Sequence, residues 1–180
     1  MKNKETGYPS IDKIHEKGEN YFDIHPLIPN LSIYNTINLI GTLYKNENAI
    51  DCLNLKVSYK EMLEQAATLS KAFKELGIKA RDIITVSMPN FYQAVIVYLA
   101  ANRIGAITTF LNSFAEIEEV CRYLNLFESP VFINYDKDKE YNDKIKLNTK
   151  VNQVITLSQK DLNNKMFADT SSNIIGNSDY

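Results

Sequence analysis

Between Thr85 and Ser113 the chain reads TVSMPNFYQAVIVYLAANRIGAITTFLNS. No other stretch restricts the fold as much. A β-branched run stops at Pro89-Asn90. A helix-length apolar segment follows and ends at Gly105, and a second β-branched run stops at Asn112. Strand, helix, strand in that order is a βαβ unit, whose two strands lie parallel in one sheet. The central "AVIVYLAA" is apolar on every side, whereas a helix on a wet surface keeps a polar face. It therefore requires a sheet on one side and a further layer on the other. A membrane span does not fit, because Phe91 to Ile104 reaches only about 20 Å as a helix and polar residues interrupt it.

The flanking segments extend the same alternation. Ser32 caps a predicted helix running to about Tyr44, with Ile33, Ile37, Ile40 and Leu43/Tyr44 on one face. "NAIDCLNLKVSY" reads as two short strands around a turn near Asn54. Ser58 with Glu61 forms a capping box, Met62, Ala66, Leu69, Phe73 and Leu76 recur at helical spacing, and Gly77 terminates that helix. "RDIITVSM" is a strand. Asn90 is read as the cap of the apolar helix and Gly105 as its end. After the strand "AITTFL", Ser113 and Glu116 suggest a second capping box, before a helix whose inner face is Ile117, Val120, Cys121, Leu124 and Phe127. "VFINYD" and "VNQVITL" are further strands, separated by the charged "DKDKEYNDKIK", read as a loop and a short surface helix. The expected fold is α/β, a mainly parallel sheet with helices on both faces. The organisation is a single subdomain, with 1–31 an irregular lead-in broken by Pro9, Pro26 and Pro29, 32–157 the α/β core, and 158–180 a poorly defined tail.

Asn90 and Asn112 stand at the carboxyl ends of parallel strands, the edge where open α/β sheets bind ligands. Asn is also a good cap and turn residue, so both readings stand at this point. Other chemistry is hard to build. None of the six glycines lies close enough to another for a dinucleotide fingerprint or a P-loop. His15 and His25 have no neighbouring ligands for zinc, so no metal site is expected. Cys121 falls on an apolar helix stripe and Cys52 in a strand, which makes both small core residues rather than nucleophiles. The carboxylates of "DKDKE" alternate with lysines, the pattern of a solvated loop, and Asp136 alone does not make a phosphoacceptor site.

A net charge of −2, with no basic cluster, gives nucleic acid or an anionic membrane nothing to bind. Two cysteines and a polar start, MKNKETGYPSIDKIHEKGENYFD, carry no secretory signal and point to a reduced, cytoplasmic setting.

Taken in order, "VSYKEMLEQAATLSKAFKELGIKARDIITVSMPNFYQAVIVYLAANRIGAITTFLNSFAEIEEVCRYLNLFESPVFINYD" resembles the N-terminal part of the AMP-binding, adenylate-forming enzymes: acyl-CoA synthetases, peptide-synthetase adenylation domains and luciferases. The helix start T-Y-x-E-L of that superfamily is matched by Ser58-Tyr59-Lys60-Glu61-Met62, and its L-G followed by G-D-x-V by Leu76-Gly77 and Arg81-Asp82-Ile83-Ile84. Pro89-Asn90 matches the strand ending in P-N. Ala101 to Ala106, then Phe110-Leu111-Asn112-Ser113, match A-x-x-x-G-A and P-L-N-P; Glu119 to Leu124 and Val131 to Asn134 complete the set. The opening TGYPSIDK is also similar to the start of some acyl-CoA synthetase-type members. Two departures stand out. Arg81 replaces the usual turn glycine, which implies a turn conformation open to a side chain, and both prolines of P-L-N-P are absent.

The resemblance implies the first subdomain of an ATP-dependent ligase. Such an enzyme activates a carboxylic acid with Mg-ATP to an acyl-adenylate, then passes the acyl group to a thiol of CoA or a carrier's phosphopantetheine. The family's Ser/Thr/Gly-rich phosphate loop ending in Pro-Lys, its aromatic-Gly-x-Thr-Glu motif, and the Lys of its C-terminal domain have no counterpart in the 180 residues. The later nucleotide-binding and C-terminal domains are thus missing. The chain by itself is expected to have no catalytic residue and no cofactor of its own, and to pack against the remainder of a longer chain. Pro89, Asn90, Phe91, Asn112 and Ser113 are the residues expected to line the wall of the acyl or pantetheine channel. Exposed interdomain surface implies self-association. The alternative is a stand-alone, non-catalytic binding module of the same fold.

Overall fold

The computed structural model describes residues 31–52 and 55–157. The lead-in expected at 1–31, except Leu31, the tail expected at 158–180, and the turn near Asn54 lie outside the described residues. Within the described residues, 32–157 form an α/β unit. Its elements are α1 (Ile33–Leu43), β1 (Asn48–Cys52), β2 (Leu55–Ser58), α2 (Tyr59–Glu75), β3 (Ile83–Ser87), α3 (Tyr92–Arg103), β4 (Ile107–Phe110), α4 (Ile117–Phe127), β5 (Val131–Tyr135), α5 (Lys139–Asn148) and β6 (Gln153–Leu157). β1 and β2 form an antiparallel pair. The other four strands make a wholly parallel sheet in the order β4-β3-β5-β6.

Local chemistry sets the helix ends. Ser58 Oγ accepts from the Glu61 amide, and the Glu61 carboxylate accepts from the Ser58 amide, closing the capping box of α2. Gly77 and Gly105 take φ of +83° and +77°. In both turns the glycine amide and the next amide fold back onto helical carbonyls: Gly77 to Lys74 and Ile78 to Phe73, Gly105 to Asn102 and Ala106 to Ala101. This is the paired bonding of a Schellman stop. Glu128 ends α4 with the same two bonds, at φ +48° and without glycine's freedom.

Two apolar clusters lie on opposite faces of the sheet. On one face α1, α2 and α3 pack onto Ile84, Val86, Val131, Ile133 and Leu157. On the other, Val120 and Leu124 of α4 and Ile145 of α5 pack onto Phe132 and Val154. The alternation of strand side chains separates the two sets. The topology demands both layers. The β3–β4 connection runs one way along the sheet and the later ones run the other way, so right-handed crossovers place α3 opposite α4 and α5.

α3 is buried on nearly every side, with Ile96, Val97, Leu99, Ala100 and Ala101 at 0–1% exposure. Polar contacts hold its outer layer in register. The Tyr34 amide donates to Asn102 Oδ1 at 2.8 Å. Arg103 donates to Ser70 Oγ at 2.6 Å and lies 5.5 Å from the centre of the Tyr34 ring. A Cβ on Gly41 would run into Leu63 Cδ1, so glycine lets α1 come close to α2.

Four expectations need correction. α1 does not bury the stripe of Ile33, Ile40 and Leu43/Tyr44; these are exposed, and the inner face is Tyr34, Ile37 and Gly41. The tyrosine and glycine suit the close approach to α2 and α3 better than a row of branched side chains. Asn90 does not cap α3, because Phe91 holds the N-cap position with no side-chain cap. Ser113 and Glu116 form no capping box, because α4 begins at Ile117 with Glu116 at the N-cap position. Arg81 does not open its turn to an ordinary conformation. It keeps φ at +74°, and its amide donates to the Gly105 carbonyl at 2.8 Å.

Left-handed backbone costs a non-glycine residue about 1–2 kcal/mol. Arg81→Gly, which removes an exposed side chain, should therefore stabilise the fold by about 1 kcal/mol and raise Tm by about 2–4 °C. Calorimetry checks this; a lower Tm would show that the turn carries no strain.

Candidate functional site

The connection after β3 leaves toward β4, and the connection after β5 leaves toward β6, although β3 and β5 are neighbours. The carboxyl ends of these two strands therefore flank a topological switch point, the usual ligand crevice of an open parallel sheet. Phe91 follows β3 and Tyr135 ends β5. Their rings meet edge to face across this point, with centroids 5.1 Å apart.

Asn90 sits at the centre of a three-residue turn in which the Phe91 amide donates to the Pro89 carbonyl at 2.7 Å. This turn throws Phe91 inward before α3 begins. At the neighbouring strand end, Asn112 Oδ1 accepts from the Phe114 amide at 3.0 Å, and the Asn112 carbonyl accepts from the Ala115 amide at 3.0 Å. Ser87 Oγ donates to the same carbonyl at 3.3 Å, tying the ends of β3 and β4 together. Asn112 is thus a turn residue, and its side chain is committed to the backbone.

The five residues expected to line a site share this rim but not one cavity. Asn90 and Phe91 line an apolar cleft of about 340 Å³ with Ala94, Val95, Tyr98 and Phe110. Pro89, Asn112 and Ser113 lie outside it. A second cleft of about 470 Å³ runs between the loop leading into α4 and the start of α5, with Phe114, Lys137, Tyr141 and Lys144 among its lining. Lys144 is bound to Glu140 at 2.8 Å, which raises its pKa, and Lys137 lies 4.9 Å from the Tyr141 ring centre.

Neither cleft suits a metal-bound triphosphate. The first has no cation. The second sets two lysines against Glu116, Asp138 and Glu140. Among the described residues no group of three or more His, Cys, Asp or Glu side chains could hold a metal ion, and no helix is long and apolar enough to cross a membrane.

Sequence reasoning did not single out Tyr98, Phe110 or Tyr135, which the structure places at the rim. It also missed a closed polar ring beside the rim. The fully buried Asn134 donates to Asn142 Oδ1 at 2.9 Å, Asn142 donates to Thr156 Oγ1 at 2.9 Å, and Thr156 donates to Asn134 Oδ1 at 2.8 Å. The ring joins β5, α5 and β6 and fixes the carboxyl end of β5. An asparagine inside a β-branched run was the available signal, since asparagine is depleted in strands.

Comparison with known proteins agrees with this geometry. The family model described as AMP-binding enzyme matches residues 42–177. An acetyl-coenzyme A synthetase of Xylella fastidiosa is 27% identical over 110 residues, 61% of this chain and 17% of that protein. A 2,3-dihydroxybenzoate-AMP ligase of Bacillus subtilis is 30% identical over 90 residues, 50% of this chain and 17% of that protein. Among solved structures, a fatty acyl CoA synthetase of Mycobacterium tuberculosis superposes with a TM-score of 0.66 at 19% identity, covering 77% of this chain and 28% of that one. A benzoate CoA ligase of Burkholderia xenovorans gives 0.65 at 14% identity, covering 71% and 26%. The parallel sheet and its flanking helices are those of the adenylate-forming CoA ligases, and the chain belongs to the AMP-binding enzyme family. It spans about a sixth of the length of the curated relatives it matches.

Two outcomes test the site. Asn134→Ala leaves Asn142 and Thr156 each short of a partner, so it should cost about 2–3 kcal/mol in urea unfolding. A loss under about 0.5 kcal/mol would mean that the ring does not hold the rim. Burial, aided by Glu118, pushes the Cys121 thiol pKa up. Cys121 should therefore react with a thiol reagent near pH 8 several-fold more slowly than it does in urea, and a rate equal in both states would contradict this.

Proposed function

We propose that this chain is the first subdomain of an ATP-dependent, carboxylate-activating ligase. Such a ligase converts an acid to an acyl-adenylate and transfers the acyl group to the thiol of CoA or a carrier's phosphopantetheine. The carrying observation is the family match across residues 42–177. In the whole enzyme ATP supplies the leaving group that a carboxylate oxygen lacks, and Mg²⁺ and cationic donors neutralise charge on the phosphates. This chain contributes scaffold and wall.

Pro89 and Asn90 set the turn that aims Phe91, and the Asn112 turn with Ser113 closes the adjacent strand end. The apolar cleft beside Phe91 suits the hydrocarbon part of an acyl or pantetheine chain, not a phosphate. The reading includes partners. The second subdomain and C-terminal domain pack on the carboxyl edge, and a copy without them self-associates through uncovered apolar surface such as Phe114, which is 86% exposed. Free Cys52 and Cys121 are consistent with a reducing, cytoplasmic setting.

Calorimetric titration of the 180-residue chain with Mg-ATP tests the division of labour. The expected result is no heat of binding; stoichiometric binding would place a nucleotide site within this subdomain. The reading frame beyond Tyr180 tests the ligase itself. A Ser/Thr/Gly-rich loop followed by Lys supports the enzyme, and an in-frame stop supports a stand-alone binding module.

A further inference from the structure

We draw no further inference here: the strongest candidate, the first turn of α3 at the carboxyl rim, where no side chain caps the helix and the buried Gln93 leaves both polar atoms of its amide unbonded, carries nothing, because that amide lines neither cleft and nothing in the structure shows what would bond it.

Discussion

The burial of α3 between the parallel sheet and the α1–α2 pair is the contact on which the rest of the structure depends. Each fully buried Ile, Leu or Val contributes about 1.5–3 kcal/mol, and α3 supplies Ile96, Val97 and Leu99 together. Ala100 and Ala101 add little area, but they leave room for close approach. The polar links to α1 and α2 come from Asn102 and Arg103, at the end of the helix where the apolar run stops. The helix is therefore held by packing along its length and orientated by hydrogen bonds at its exit. The Gly105 turn then returns the chain to the sheet, and its carbonyl is what the Arg81 amide grips at the start of β3.

This anchoring fixes where the strands end. With α3 held above β3 and β4, the loop after β3 is confined between a rigid strand and a rigid helix, and Phe91 has one direction open to it, toward β5. On the other face the Asn134–Asn142–Thr156 ring performs the same service for β5, because it bonds that strand to both α5 and β6. The Phe91–Tyr135 contact at the switch point thus joins two separately braced elements. A crevice lined in this way presents aromatic edges, which suits an apolar ligand tail and gives nothing to a phosphate.

Much of this was legible from residue order. The β-branched runs, the Ser58–Glu61 box, and glycines at 77 and 105 locate strands and helices because each signal is local: a cap bonds within one turn, and a left-handed stop needs no distant partner. The failures share a cause. Ser113 and Glu116 have the spacing of a capping box, but the Asn112 turn consumes the Phe114 and Ala115 amides and delays the helix to Ile117. Asn90 resembles a cap, but the proline before it bends the chain into a tighter turn. α1 has two apolar faces, and periodicity alone does not say which of them meets α2. At the rim, Pro89, Asn90 and Phe91 follow β3 and Asn112 and Ser113 follow its neighbour β4, and of the five Asn90 and Phe91 line the apolar cleft. A cleft depends on how far loops on different strands lean toward each other, and no single segment encodes that.

The distribution of exceptions is informative in itself. Inside the sheet sandwich, buried polar groups are largely bonded: Thr85 to Ser129, Ser70 to Arg103, and Asn134 to its ring. Gln93, in the first turn of α3 at the carboxyl rim, is buried with neither side-chain polar atom hydrogen-bonded. Such a group costs about 1–3 kcal/mol. Phe110 and Phe114, on the β4 side of the same rim, expose large apolar surface. Water penalises both arrangements, the first for a lost hydrogen bond and the second for an ordered interface. A rim that pairs an unbonded buried amide with exposed phenylalanines suits contact with protein better than contact with solvent.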